Sequence, residues 1–430
     1  MATFKRQLHL ASSIAAYKGA TKLSARIGDP YGMFEHSPDL AAYARKLREQ
    51  PYVLSRNGLL LTADYEIATT ILKSPMASAS VPEPQNLVQT LILGPARSED
   101  RTHPVLDSLV TYHGDDHARL RKLLTGVFSP RSIKQWQEWT TRAAVDLMDA
   151  FDPDGPVDLV SEWAAPLPMA VICEILGVPF AERERFRAWG NVLAAGLDRP
   201  RTMEMARNID IAAEELAEYL RVLLEARRSD PKDDVLSTLA NVNVDGDVLT
   251  DKEIITTASF LLIAGFETTV NLLGAGTNVL MRHPDQLAAL SNDHEIIPNA
   301  IEELLRYVSP VQFTFRTAFA PIELPDGEVF EEGSSAAVLL VGANRDPKVF
   351  TDPERLDITR ANARKHLAFG FGPHLCLGAA LARMEADVAW RALLERYPNT
   401  GRWRFAGEPR GTQGRMVRGL QSLPVMLHAA

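Results

Sequence analysis

Between Thr250 and Pro284 the chain reads TDKEIITTASFLLIAGFETTVNLLGAGTNVLMRHP. Thr250 followed three residues later by Glu253 is a capping-box pattern, and nothing breaks the helix until Pro284. A helix of this length far exceeds the ordinary globular one. Its apolar content leaves two destinations: a membrane span, or the buried centre of a large soluble domain. Glu267 stands near the middle with Thr268, Thr269 and Asn271, and no second comparable segment exists. A carboxylate at mid-bilayer is costly, so the buried centre is the reading adopted. Within the helix, Ala264-Gly265 lacks bulk and Glu267-Thr268 is polar. Such a flaw suits a groove for a small polar ligand with a proton-passing acid nearby, and equally a packing defect with a solvated face. The segment alone leaves both open.

A core around such a helix needs other helices. Apolar residues recur at three- and four-residue spacing through 132–150, 161–177, 203–227 and 379–396. Strand-like pieces are few: a hairpin in 52–62 around Asn57-Gly58, and a hairpin region in 322–341 around Pro325-Asp326-Gly327. Alternating β and α units are missing, which counts against a doubly wound sheet. The expectation is a mainly α fold with a small β portion, forming a single domain over 1–430. A net charge of −9 speaks against nucleic-acid binding. Cys173 and Cys376, the only cysteines, cannot build a disulfide framework or a multi-cysteine zinc site, which suggests an intracellular, cytoplasmic protein. The N-terminal stretch MATFKRQLHLASSIAAYKGATKLSA has its apolar run interrupted by Ser12 and Ser13. It reads as a surface helix rather than a signal peptide or membrane anchor.

Three further patterns carry chemistry. Phe369–Gly378, FGFGPHLCLG, sets Cys376 among Gly370, Gly372 and Gly378, whose backbone can approach something flat and bulky. Backbone N–H groups and a helix starting near Leu377 would favour a thiolate, and a thiolate so held can be an axial ligand of haem iron; a buried structural cysteine is the alternative. Glu303 and Arg306 in EELLR are three apart and close enough to pair, at the surface or buried. His117 and Arg121 in HGDDHARLRKLL share a helix face and can both donate to an anion, or lie on a solvated basic face. Arg316, the only charge in VQFTFRTAFAPI, points to a buried or ligand carboxylate.

Together these residues resemble the cytochrome P-450 family. Phe369, Gly372, Cys376 and Gly378 match its haem-binding signature F-x-x-G-x-x-x-C-x-G, and Ala264, Gly265, Glu267 and Thr268 match its A-G-x-E-T oxygen-binding motif. Glu303 and Arg306 match its E-x-x-R motif, and ANRDPKVFTDPERLDITR followed by HLAFG is similar to its segment before the haem loop. The style is that of soluble bacterial, especially actinobacterial, members, and AGFETTVNLLG is similar to a stretch in some mycobacterial enzymes. The resemblance implies haem b between the long helix and the cysteine loop, with Cys376 as its thiolate ligand. His117, Arg121, Arg316 and His374 would hold the propionates, Phe369 would pack on the cysteine side, and Glu303–Arg306 would form a buried structural pair. Glu267 and Thr268 would be the acid–alcohol pair that passes protons during use of O2.

The implied activity is a monooxygenase that inserts one oxygen atom into a lipophilic molecule, drawing electrons from a ferredoxin and its reductase. Oxidative coupling or desaturation on the same scaffold, and a non-catalytic haem protein, are the rival readings. Substrate-lining candidates are Leu87, Val88, Leu91, Ile92 and Leu93, then Leu262, Ile263 and Phe266, then Val311 and Phe313. Arg364, Lys365 and Arg383 are candidates for docking an acidic redox partner, with solvated surface charges as the alternative.

Overall fold

Thr250 caps the long helix as its sequence predicts. Its hydroxyl accepts from the Glu253 N–H at 3.2 Å, and the Glu253 carboxylate accepts from the Thr250 N–H at 2.8 Å. The helix then runs unbroken over Asp251–Met281. In the computed structural model, which describes residues 2–80, 103–152, 155–198, 200–244 and 246–428, it is the axis of the molecule. Helices Pro166–Leu176, Arg183–Ala195, Met203–Ser229, Ile297–Val308 and Ala379–Arg396 all pack against it. Among the described residues it is the one helix long and apolar enough to cross a bilayer. Protein covers most of its surface instead: Ile254, Ala258, Leu262, Leu273 and Leu280 have at most 1% exposure. Interior hydroxyls are satisfied along the way, Thr256 donating to the Lys252 carbonyl at 2.7 Å.

The β portion is small. One five-stranded sheet runs in the spatial order Val53–Leu54, Leu60–Thr62, Ser335–Val338, Thr314–Ala318, Ala77–Ser78. The Asn57-Gly58 hairpin joins its first two strands, with Gly58 at φ +82°. Ser335–Val338 pairs in parallel with Leu60–Thr62 and antiparallel with Thr314–Ala318, placing Arg316 opposite Ala336. The predicted 322–341 hairpin region is therefore split. Ile322–Glu323 and Val329–Phe330 form a two-residue-wide hairpin around Gly327, while 335–338 leaves it for the larger sheet.

Ala2–Arg26 is a helix, and over residues 11–26 only Ser13 and Thr21 are buried, so it lies on the surface as expected. It docks on Pro30–His36 through a 2.9 Å hydrogen bond between the Tyr17 and Tyr31 hydroxyls and a 3.1 Å one between His36 and Thr21. A small apolar core beside the sheet contains Phe34 and Phe313, edge to face at 4.8 Å. The main core surrounds the central helix.

Candidate functional site

Midway along the buried central helix, Phe260, Leu261, Ala264, Gly265, Glu267 and Thr268 keep accessible surface. Positions 261, 264, 265 and 268 follow helical spacing, so they form one stripe on one face. A methyl group added at Gly265 would meet only the Ile172 Cδ1, at 3.8 Å. The stripe thus has room beside it, inside the molecule. The Thr268 hydroxyl donates to the Ala264 carbonyl at 2.6 Å. With its proton committed, Thr268 Oγ1 presents lone pairs to that face.

The cysteine loop lies on the adjoining element. Cys376 precedes helix Ala379–Arg396, which packs against the central helix and is tied to it by a hydrogen bond between Glu385 and Thr269. Cys376 retains accessible surface although protein surrounds it closely enough for burial to push its thiol up. The Gly378 N–H, Arg121 and Arg383 act the other way and favour the thiolate. The Cys376 N–H donates to the Phe369 carbonyl at 2.9 Å, which closes the loop. Its glycines divide in role. Gly372 has φ +70°, and a Cβ there would fall within 2.7 Å of the Lys73 Cα, so protein packing demands this glycine rather than a ligand. Gly378 has nothing within 4 Å of where a Cβ would stand.

Four basic groups converge beside the loop. His117 and Arg121 come from helix Gly114–Thr125, whose first turn carries Asp115 and Asp116 as the helix dipole favours. The His117 ring lies 4.0 Å from that of His374, and Arg121 donates to the Leu375 carbonyl at 2.5 Å. Arg316, on the sheet, is 4% exposed and donates to Thr314 Oγ1 and the Phe315 carbonyl, both at 2.7 Å. No protein carboxylate meets Arg316 among the described residues, and burial pushes its guanidinium down to about 10. His374 is pushed down to about 3 by burial and by Arg316, His117, Arg121 and His113. Two buried donor atoms, His117 Nε2 and Arg316 Nε, have no partner. A cluster of cations and imidazoles that meets no carboxylate among the described residues, with two nitrogens unpartnered there, suits a pair of carboxylates supplied by a ligand. The propionates of haem b, with Cys376 as ligand to its iron, match that demand.

A polar thread runs along the central helix. Asn271 Nδ2 donates to Glu267 Oε1 at 3.2 Å. Burial pushes the Glu267 carboxyl up, and the Asn271 hydrogen bond only partly opposes this, so Glu267 holds a proton to higher pH than an ordinary glutamate. Glu385, which the sequence did not single out, is 3% exposed with Oε2 unpartnered, and burial pushes it up to about 8.

Glu303 and Arg306 are both fully buried, at 2.7 and 2.8 Å. The sequence missed their third member. Arg360 donates its Nε to Glu303 at 3.1 and 3.2 Å, while its Nη1 holds the Thr351 carbonyl at 2.6 Å. The only sequence signal was its place in DPERLDITR.

Other expectations need correction. Arg383 is bound to the buried Glu302 at 2.7 and 3.0 Å and lies over the Phe369 ring at 4.6 Å, so it is part of the loop's support rather than a free docking charge. Arg364 and Lys365 are exposed. Leu262 and Ile263 have no accessible surface and Phe266 has 2%, so all three lie off the accessible stripe. Phe313 belongs to the small core with Phe34, and Val311 is half-buried at a bridge to Val417. Leu87, Val88, Leu91, Ile92 and Leu93 lie outside the described residues. Phe260 and Leu261, on the stripe, are the apolar residues the sequence reading passed over.

Known proteins share this arrangement. Residues 101–400 match the family model described as cytochrome P450. The putative cytochrome P450 140 of Mycobacterium tuberculosis is 34% identical, covering 99% of this chain and 98% of the relative. The 6-deoxyerythronolide B hydroxylase of Saccharopolyspora erythraea is 39% identical over 72% of this chain and 76% of the relative. The crystal structure of P450BioI in complex with hexadec-9Z-enoic acid ligated acyl carrier protein superposes with a TM-score of 0.81 at 32% identity, covering 92% of this chain and 100% of that one. Family, fold and donor set agree: the chain belongs to the cytochrome P450 family, whose members bind haem b.

Proposed function

We propose that this P450 monooxygenase hydroxylates or epoxidises a large lipophilic molecule at haem ligated by Cys376. The observation that carries the reading is the cluster of His117, Arg121, Arg316 and His374, which meets no carboxylate among the described residues, next to the cysteine loop. When bound, haem b supplies an iron centre that cleaves dioxygen with two external electrons, one oxygen atom going to substrate and the other to water. That balance needs two protons delivered to the oxygen that leaves as water. Glu267, whose carboxyl burial raises, passes them one at a time, regaining a proton from solvent between the two, and Asn271 holds its carboxyl in place. Thr268 Oγ1, its own proton committed to the Ala264 carbonyl, accepts a hydrogen bond on the same face and so orders the last step of delivery. Phe260 and Leu261 extend this face with apolar surface and exclude water. The long acyl chain named for P450BioI and the 6-deoxyerythronolide B named for the hydroxylase relative support a bulky lipophilic substrate.

Electrons come from a ferredoxin-type partner served by a reductase. Its docking face includes a depression of about 420 Å³ lined by Phe128, Pro130, Ile133, Lys134, Gln137 and Ala380, four residues past Cys376. The test is the absorption spectrum of the reduced, carbon-monoxide-bound protein. A thiolate-type Soret band that Cys376→Ser abolishes supports the reading. A histidine-type band, or no haem uptake, refutes it.

A further inference from the structure

Glu302 and Glu303 are neighbours on helix Ile297–Val308, 1% and 0% exposed, and they serve different parts of the chain. Glu303 takes Arg306 and Arg360. Glu302 turns to the loop that carries the cysteine. Its Oε1 accepts from Arg383 Nε at 2.7 Å, and its Oε2 accepts from Arg383 Nη2 and His366 Nε2, each at 3.0 Å. Burial alone would raise the Glu302 carboxyl, but the hydrogen bonds from His366 and Arg383 outweigh it and hold the group down to about 2. His366 Nδ1 accepts from the Ala368 N–H at 3.1 Å, so a neutral ring with its proton on Nε2 satisfies both nitrogens.

His366 and Arg383 bracket the cysteine loop, one before it and one after. Between them, Phe369 lies under the Arg383 guanidinium at 4.6 Å and beside the His366 ring at 5.7 Å. The Phe369 carbonyl in turn accepts the Cys376 N–H at 2.9 Å. Contact is therefore unbroken from Glu302 to the backbone of the cysteine. Arg383 is also one of the two cations that act on the sulfur.

We propose that Glu302, through Arg383 and His366, is a positioning residue for the cysteine loop, clamping both its ends and keeping a balanced carboxylate–guanidinium pair beside the sulfur. This role is separate from that of the Glu303 pair, and it rests on Cys376 being the iron ligand. Reduction adds negative charge next to that sulfur, so the balance of the pair sets how readily it occurs.

The test uses the haem-loaded protein, with Glu302→Gln, Arg383→Gln, Arg383→Lys and the Glu302→Gln/Arg383→Gln double variant. Two quantities are read: the reduction midpoint, and the lifetime of the thiolate-type Soret band in the reduced carbon monoxide complex. Glu302→Gln leaves Arg383 unbalanced and shifts the midpoint positive. Arg383→Gln leaves Glu302 unbalanced and shifts it negative. The double variant returns toward the wild-type midpoint but loses the thiolate band faster, since the clamp is gone. Arg383→Lys keeps the charge and the midpoint yet shortens the lifetime, because an ammonium cannot reproduce the paired hydrogen bonds. Should Glu302→Gln fail to accumulate with haem, the half-exposed Arg383 variants decide the matter by the same signs. Single variants that move the midpoint in the same direction, or that change yield alone, would overturn the proposal. A wild-type protein with no thiolate band would instead remove the reading beneath it.

Discussion

Glu385 gives the sharpest quantitative expectation. It sits within the core on helix Ala379–Arg396, with Thr269 as a hydrogen-bond partner, one oxygen unpartnered, and a pKa raised from 4.5 to about 8 by burial. In the unfolded chain it ionises near its ordinary value, so between the two values the folded protein binds the extra proton. Stability must then fall as pH rises through that window, by about 1.4 kcal/mol for each pH unit. Below pH 4.5 the contribution is fully present, and above about 8 it is fully lost. The whole window amounts to roughly 5 kcal/mol, and the accessible part from pH 6 to 8 to about 2 kcal/mol. Glu385→Gln fills the same volume and cannot ionise. Urea denaturation of the holoprotein, followed by circular dichroism and the Soret band, measures both proteins at pH 6, 7, 8 and 9. Relative to wild type, the variant should gain about 2 kcal/mol between pH 6 and 8, then gain little more. A gap between the two proteins that does not change with pH would mean that Glu385 is already ionised when folded, and the reasoning from burial would fail.

Two other expectations follow from unpaired or exactingly paired charge. Arg316→Leu removes a buried cation that no carboxylate among the described residues meets, so haem should leave about ten- to a hundredfold faster, as the loss of one charge-assisted hydrogen bond implies; an unchanged rate of haem transfer to a scavenging apoprotein would contradict the propionate role. Glu303→Gln strands the buried Arg306 and Arg360 together, and should lower stability by about 3–5 kcal/mol in the same urea assay, whereas a loss under 1 kcal/mol would show the cluster to be dispensable.

What could be read from the sequence was local, and what could not was set by distant partners or by helix phase. The capping box, the unbroken central helix and the Asn57-Gly58 hairpin each depend on residues within a few positions of one another, and each is present. Arg383 was read as a candidate surface charge because its partner, Glu302, lies 81 positions away. Arg360 went unnoticed for the same reason, 57 positions from Glu303. For the substrate-lining candidates on the central helix, the missing consideration was phase. Taking Thr268 as facing the site already fixes Leu261, Ala264 and Gly265 on its side and turns Ile263 and Phe266 away. The phase was in the sequence, and choosing by apolarity alone discarded it. Gly372 shows the opposite error: a glycine assigned to the ligand is required by the helix Tyr65–Lys73, whose backbone it nearly touches.

Several residues that break the rules of a well-packed interior gather in one region. Arg316 is buried without a carboxylate, His117 keeps an orphaned ring nitrogen, Glu267 and Glu385 are carboxyls that burial drives toward neutrality, and Ala264-Gly265 leaves a core helix thin at its middle. Each alone is a modest destabilisation, and a chain selected only to fold would have replaced them with apolar groups of similar volume. Yet they cluster along the central helix and the adjoining sheet and loop, while the charges behind them, on Glu302 and Glu303, are fully paired. Local inconsistency on one side of the cysteine loop and strict satisfaction on the other is what a rigidly backed ligand site requires. Haem b bound here would bring an anionic edge to Arg316 and His117, and Glu267 and Glu385, whose carboxyls burial raises, would hold protons to higher pH than ordinary glutamates.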